Sequence, residues 1–535
     1  MNVFRETVRS TLKRSLSEWS FSPSTLSQLP LDETRENYIR RNIRGALFSQ
    51  VLPTPLETEV KLVAYSRDVL TQILDMDPEI TETQDFVDFV AGNKILDSSV
   101  TLAHRYGGHQ FGVWNGQLGD GRVILLGEYI NSLGQRWELQ LKGAGKTPYS
   151  RDDDGRAVLR SSIREFLCSE AMFYLGIPTC RTAAIVASQD LVMRDEFYKG
   201  TPKAERAAVV LRVAPSWFRF GSLELLAKNG ELTTLRILLE YIVQEHFTRL
   251  KDAKNKYVLL FSEIMHKTVD LVVQWHAVGF AHGVLNTDNM SLLSITIDYG
   301  PFGFVEAYDS QFVPNTSDKN KRYAFDKQLE IVAWNLEKLA CALFAIVTEY
   351  ERRQILDLLN QLSAYANHRV GCVFAKKLGL RRYDDSDNDL LMLLLQMMEE
   401  TGADFTMTFR QFGEIELADM TDPAKLANLW SLQRLSSHNA YERFVELYKR
   451  RVSLDYGLTE DMRRDTIMRT NPRYVLRNWM AQAAIEKAEQ DDYSEVRVLH
   501  EILKMPFTTQ EAAEIRNYAD PPPPSSYYIK VSCSS

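Results

Sequence analysis

Cysteine is scarce in this chain. Cys168, Cys180, Cys341, Cys372 and Cys533 are scattered over 535 residues with no C-x-x-C pair, which argues against a zinc cluster or a secreted disulfide scaffold and fits a reducing compartment. Long apolar runs are missing as well. The longest, around Leu339 to Val347, falls short of the roughly 18 residues needed to cross a bilayer, so the sequence reads as a soluble protein with no membrane partner. Positive charge is not in excess: the formal net charge is -8, against broad electrostatic binding to nucleic acid or anionic lipid. No repeat of fixed period is present, which sets solenoids and propellers aside. What remains, 45% hydrophobic and 25% charged residues, has ample material for a core.

One more absence carries chemistry. The stretch HGVLNTDNMSLLSITIDYG, residues 282 to 300, matches the protein-kinase pattern H-R-D-x-x-x-x-N followed by D-F-G, with His282 and Asn289 in register and Asp298-Tyr299-Gly300 as the second element. The carboxylate of H-R-D is replaced by Val284, so γ-phosphoryl transfer loses its usual base. Asn289 and Asp298 still offer the hard oxygens that suit Mg²⁺ bridging phosphates. Asp288, directly before the asparagine, is placed to act as base.

The pattern along the chain gives an α+β fold of protein-kinase-like, two-lobed type. RVILLGE (122–128) and WELQLK (137–142) are strand signals joined by a hairpin turn at Asn131 to Gly134. AVLRSSIREFLCSEAMFYLG has apolar residues at helical spacing and stops at Gly176. A third strand is expected at Ala207 to Val213. Beyond it the chain turns helical: Leu232 to Leu250, Tyr257 to Trp275, a central buried helix from Phe325 to Val347, then 385–400 and 473–489. The expected divisions are an N-terminal extension (1–50), a β-rich small lobe (51–225), a helical large lobe (226–425), a helical extension (426–519) and a tail (520–535). Pro521 to Pro524 predict extended polyproline II in that tail. The first 15 residues carry Arg5, Arg9, Lys13 and Arg14 against Glu6 alone, the balance of an organelle transit peptide or of a plain solvated helix.

Lys142 closes the second strand where kinases hold the phosphate-gripping lysine, and Glu165 in the following helix is its expected ion-pair partner; each also fits a solvated surface position. Gly119, Gly121 and Arg122, in GQLGDGR, are either a tight turn or a loop whose N–H groups approach phosphates. In RDDDGR, Asp152 and Asp153 read as solvated. Arg212 and Arg219 flank the aromatic run in RVAPSWFRFG and suit phosphate oxygens. His104, Arg105, His109 and Gln110 in HRYGGHQFG lack a third ligand at metal spacing, so packing and backbone hydrogen bonding is the better reading.

Together, HRYGGHQFGVWNGQLGDGR, ELQLKGAGKTPYSRDDDGRAVLRSSIREFL, RVAPSWFRFG, HGVLNTDNMS, TIDYGPFGF and the closing SCSS resemble the selenoprotein O family of protein adenylyltransferases, also called SelO or YdiU-like, a pseudokinase lineage. The resemblance implies that ATP lies inverted relative to kinases and that AMP passes to Ser, Thr or Tyr hydroxyls of proteins, releasing pyrophosphate. It implies nucleotide contacts at Gly119, Gly121, Arg122, Lys142, Asp154, Gly155, Arg212, Arg219 and Asp298, a proton acceptor at Asp288, and Mg²⁺ or Mn²⁺ ligands at Asn289 and Asp298. Some members end in Cys-selenocysteine-Ser-Ser. Here the end is Ser532-Cys533-Ser534-Ser535, and no cysteine lies between Tyr299 and Tyr323 to pair with it as the family's tail disulfide would require. Eukaryotic members are mitochondrial and bacterial ones cytosolic; the extended N-terminus points to the mitochondrion. Two rival functions use the same residues: a residual phosphotransferase, and a catalytically silent nucleotide-binding scaffold. ATP labelled at the α or the γ position separates all three.

Overall fold

A computed structural model describes residues 12–34, 36–37 and 39–532. Its strands are β1 (Leu31–Asp32), β2 (Phe48–Gln50), β3 (Val60–Tyr65), β4 (Leu102–His104), β5 (Gly107–Gln110), β6 (Val113–Gln117), β7 (Val123–Ile130), β8 (Arg136–Lys142), β9 (Ala157–Val158), β10 (Arg181–Arg194), β11 (Lys203–Ala214), β12 (Phe280–Ala281) and β13 (Gly303–Phe304). The main sheet runs in the order β1-β2-β4-β7-β8-β11-β10-β3, with β9 paired on β11. Among the described strands only β1 and β2 pair in parallel. β5 and β6 form a separate hairpin. The architecture is α+β, as expected.

The β7–β8 hairpin forms where NSLG predicted it. Asn131 Oδ1 accepts from Leu133 N (3.1 Å) and Gln135 N (2.8 Å), and Gly134 takes the left-handed conformation at φ 74° that only glycine adopts freely. Alternation along β8 and β11 then sorts the side chains. Leu139, Leu141, Val209, Leu211 and Val213 enter one core, with Trp19, Phe86 and Phe89. Gln140, Lys142, Val210 and Arg212 face the opposite way, Val210 into a second core shared with the helices. A period of two therefore puts a lysine and an arginine side by side on one face of the central strands.

The helices that frame this face are α1 (Leu159–Tyr174), α2 (Phe220–Lys228), α3 (Leu232–His246), α4 (Lys256–Ala277), α5 (Gln328–Leu343) and α6 (Glu349–Lys377). α1 packs on β10 and β11 and on the helices Asn478–Ala488 and Ser494–Leu503, so it is buried nearly all round, Arg164, Glu165 and Glu170 included. It ends at Tyr174, with Gly176 at φ 79°.

Several expectations change. Strand β10 was not foreseen, because its run TAAIVAS is buried on both faces and lacks alternation; β3 and β4 escaped likewise. The expected strand at Ala207 to Val213 is the inner part of a longer one. The helix expected to reach Leu250 stops at His246, where Phe247 leaves helical geometry. The element expected over Phe325 to Val347 is a 3₁₀ turn, Phe325–Lys327, followed by α5. α5 buries nine of its sixteen residues, with Glu330 and Glu337 exposed on it, whereas α1 buries twelve of sixteen. The helix expected from 473 begins at Asn478, since Tyr474 to Leu476 run buried ahead of it. The tail is polyproline-like only to Pro523 (φ -62°, ψ 148°) and then closes into a 3₁₀ turn, Pro524–Tyr528.

Most of the transit-like segment, residues 1–11, and Cys533 lie outside the described residues. Lys13 is built into the body, its N–H donating to Asp75 O and its carbonyl accepting from Asp77 N, both at 2.8 Å. Among the described residues no helix is long and apolar enough to cross a membrane.

Candidate active site

Lys142 ends β8, paired between Val123 and Val210, and its Nζ meets Glu165 Oε2 of α1 at 2.5 Å. Both groups are buried. Burial pulls the ammonium below its ordinary pKa, and Glu165 opposes that shift. The strand-to-helix ion pair expected from the sequence is present.

Next to it, Arg212 is the cross-strand neighbour of Gln140. Its Nη2 donates to Gln140 Oε1 at 2.9 Å, and Nη1 donates to Glu165 Oε1 at 2.9 Å and to Asp298 Oδ1 at 2.6 Å. Arg219, at the N-cap of α2, donates from Nη1 to Asp288 O at 2.8 Å and to Asp298 Oδ2, with Asp120 Oδ1 3.5 Å from Nη2. Its guanidinium lies 4.5 Å from the Tyr106 ring centre, and that of Arg212 4.5 Å from Trp217. Burial works against both charges, but Glu165, Asp298 and Asp120 hold both arginines above their ordinary pKa.

Each oxygen of Asp298 is thus engaged by a different buried arginine. Burial alone would raise this carboxyl, yet Arg219, Arg212 and Lys142 hold it well below the usual range. Its backbone sits at φ 57°, a left-handed conformation that aspartate tolerates better than most residues.

Asp288 and Asn289 lie in a 3₁₀ turn, Thr287–Asn289. Backbone bonds from Phe220 N to Met290 O (2.8 Å) and from Leu292 N to Phe218 O (3.0 Å) lash this loop to the segment carrying Arg219. Asn289 Nδ2 donates to Val284 O at 3.0 Å, which fixes the amide and turns Oδ1 to the other side. Asp288 Oδ2 accepts from Gln110 Nε2 at 3.0 Å, while its Oδ1 is buried with no hydrogen-bond partner. Burial pushes the Asp288 carboxyl up to about 6, against the pull of Gln110 and Arg219.

The glycines of the loop before β7 are tight for a reason internal to the protein. A Cβ on Gly119 would lie 2.5 Å from the Tyr149 ring, and one on Gly121 2.8 Å from Tyr149 O. Arg122 is within electrostatic reach of Glu165, Asp298, Arg194 and Arg212. Asp154 sits at the edge of this group: Arg194 donates to its two oxygens at 2.7 Å each, and Arg156 N at 2.8 Å. Gly155 packs against the backbone of Gly145. Asp152 and Asp153 are exposed, as expected, and so is Arg151.

Among the described residues no three His, Cys, Asp or Glu side chains gather at metal-binding distance. The protein oxygens available to a divalent ion are Asn289 Oδ1 and Asp298, with the unpartnered Asp288 Oδ1 nearby. That is a hard-oxygen set, incomplete by itself, and it fits Mg²⁺ or Mn²⁺ that takes its remaining ligands from phosphates and water.

A profile of the family described as "Protein adenylyltransferase SelO" matches residues 39–504. The chain belongs to the SelO family. It is 43% identical over 494 residues to the protein nucleotidyltransferase YdiU of Azoarcus sp. (strain BH72), covering 92% of this chain and 94% of that protein. Identity is 42% over 505 residues with the protein of the same name from Methylobacillus flagellatus (92% and 95% covered), and 41% over 506 residues with that of Pseudomonas fluorescens Pf-5 (94% and 99%).

Within this SelO-family site, reading the sequence missed Gln110, Tyr106 and Asp120. For HRYGGHQFG the packing reading holds at Arg105, which bonds Ala46 O (2.9 Å) and Glu231, but Gln110 reaches the candidate base. Asp120 is buried and its carboxyl pushed up to about 6 by that burial. The one available signal was an acid placed between two glycines beside a candidate phosphate loop.

Proposed function

We propose that this chain is a protein adenylyltransferase that passes AMP from ATP to Ser, Thr or Tyr hydroxyls of proteins, on a protein-kinase-like two-lobed frame divided near residues 225 and 226. The observation that carries the reading is Asp288: a buried carboxylate with one oxygen held by Gln110 and the other unpartnered, a few side chains from Lys142, Arg212 and Arg219. The profile match and the bacterial nucleotidyltransferases support it.

In this reading Asp288 Oδ1 takes the proton of the acceptor hydroxyl. The acceptor oxygen bonds to the α-phosphorus, the bond from that phosphorus to the oxygen bridging it to the β-phosphorus breaks, and pyrophosphate leaves. Lys142, Arg212, Arg219 and Arg122 receive phosphate oxygens, which requires the two arginines to exchange Asp298 oxygens for phosphate ones. Gly119 and Gly121 keep the loop close to the nucleotide, and Asp154 with Gly155 receives the adenosine end. Asn289 and Asp298 would hold Mg²⁺ or Mn²⁺, which would neutralise triphosphate charge when bound. Val284 leaves the ordinary kinase base position without a proton acceptor, which favours this chemistry over γ-phosphoryl transfer. The bacterial relatives favour a cytoplasmic location over the mitochondrial one.

Parallel incubations with α-labelled and γ-labelled ATP test the proposal. Label retained on protein from the α position alone, and lowered about 10²- to 10⁴-fold in Asp288→Asn with nucleotide affinity kept, is the expected result. Label from γ alone would establish the phosphotransferase instead, and label from neither the silent scaffold.

A further inference from the structure

Beside the candidate base lies a layer of side chains that the transfer chemistry does not use. The hairpin β5–β6 turns its glycine-rich inner row toward Asp288: a Cβ on Gly108 would lie 2.5 Å from Asp288 Oδ1. His109 of the same strand donates from its backbone N–H to Thr287 Oγ1 at 2.9 Å, and its ring Nδ1 lies 2.8 Å from Glu224 Oε1 of α2, with burial and the neighbouring cations holding the imidazole down at about 4. That ring is also the floor of an aromatic platform, with centroids 5.0 Å from Trp114 and 5.2 Å from Trp334.

Three cations cover the platform. Lys228 Nζ stands 5.0 Å from the Trp114 ring centre, while Lys338 Nζ and the Arg322 guanidinium stand 4.5 and 4.8 Å from that of Trp334. They come from three separate elements, α2, α5 and the segment after Asp298, and their fields converge on His109. Among the described residues none of them forms an ion pair. Glu224 is buried beneath them, and burial pushes its carboxyl up to about 7 against the pull of Thr287, Lys228 and Lys338. At the hairpin tip Phe111 and Val113 are 40% and 64% exposed, next to Arg322, which packs on Gly112.

We propose that this surface, formed by Lys228, Lys338 and Arg322 over Trp114 and Trp334 with Phe111 at its rim, docks an acidic segment of the protein that carries the acceptor hydroxyl. The proposal rests on the adenylyltransferase reading and names its substrate class. Three unpaired cations on a chain of net charge -8 complement carboxylates locally, and the exposed aromatic and aliphatic rim suits a peptide with apolar side chains between its acids. A nucleic acid would need a longer basic track than three charges provide. Gln110 of this hairpin also holds Asp288, so the surface and the base are borne by one ribbon.

The test uses Ser- or Tyr-containing peptides of equal length with acidic, neutral or basic flanks, α-labelled ATP and the full chain, alongside Lys228→Glu/Lys338→Glu and Lys228→Met/Lys338→Met. Acidic peptides should be labelled best, with a KM that rises about tenfold or more in the double variants while kcat holds. The glutamate variant should gain basic peptides. Equal labelling regardless of flank charge overturns the proposal. Fluorescence anisotropy of the same peptides, without nucleotide and across salt concentration, separates the two readings. Acidic peptides bound by the native chain and released by the double variants, with no peptide labelled, would uphold the docking surface and sink the transfer chemistry. Labelling with no charge-dependent binding, or preferential binding of a single-stranded oligonucleotide, would sink the docking surface.

Discussion

Gln110 donates from Nε2 to Asp288 Oδ2 at 3.0 Å, joining residues 178 positions apart. The bond orients the carboxylate so that Oδ1 is the oxygen left for a proton. A hydrogen bond to a charged group contributes about 1.5–3 kcal/mol, so Gln110→Leu should lower kcat by roughly 10- to 100-fold. KM for ATP should hold, and Gln110→Glu should not rescue, since it sets a second carboxylate against the first. Steady-state transfer of α-label measures it; unchanged kcat would show that the bond is incidental.

Gly108 has no room for a side chain on that same oxygen. Gly108→Ala should displace Asp288 and lower kcat about tenfold or more, with a smaller change in thermal stability than in rate. A rate equal to that of the native chain would mean that the hairpin yields freely.

Asp298 joins Arg212 and Arg219. Removing one partner of a buried ion pair costs about 3–5 kcal/mol, so Asp298→Ala should both abolish transfer and lower the unfolding temperature. Pyrophosphate, whose oxygens can replace the missing carboxylate, should restore part of that temperature. Loss of activity with no thermal shift would count against the two-arginine clamp.

Further along α1 from Glu165, Glu170 is buried and accepts from Arg181 Nε and Nη2 at 2.7 Å each and from Ser66 Oγ at 2.6 Å. Burial would raise this carboxyl, but Arg181, with His500, pulls it down to about 2 from 4.5. The folded-state value is depressed, so the pair's contribution, on the order of 3 kcal/mol, is fully present above about pH 4.5 and is lost as pH falls toward 2. Glu170→Gln should be less stable at pH 7, and the gap to the native chain should narrow in acid. Denaturant midpoints across pH 7 to 3 would show it; a constant gap would refute the assignment.

The residues most legible in the sequence were those whose role depends on local spacing. Lys142 was legible as the residue closing a strand, Arg212 as one of two arginines flanking an aromatic run, and Asn289 and Asp298 from the interval between two short motifs. Gln110 was not legible, because its partner, 178 positions on, is brought near only by the docking of a hairpin on a distant loop. The opposite error came from local regularity: four prolines predicted an extended tail, yet Pro524–Tyr528 close into a turn. Strand β10 was invisible because burial on both faces erases the alternation by which strands are recognised.

The β5–β6 hairpin sets one row, Gly108 and Gln110, against the candidate base and holds another, Phe111 and Val113 at its tip, at the solvent. Mutation can therefore redraw one row and leave the other untouched. Relatives built on this ribbon are free to change clientele without relearning their chemistry.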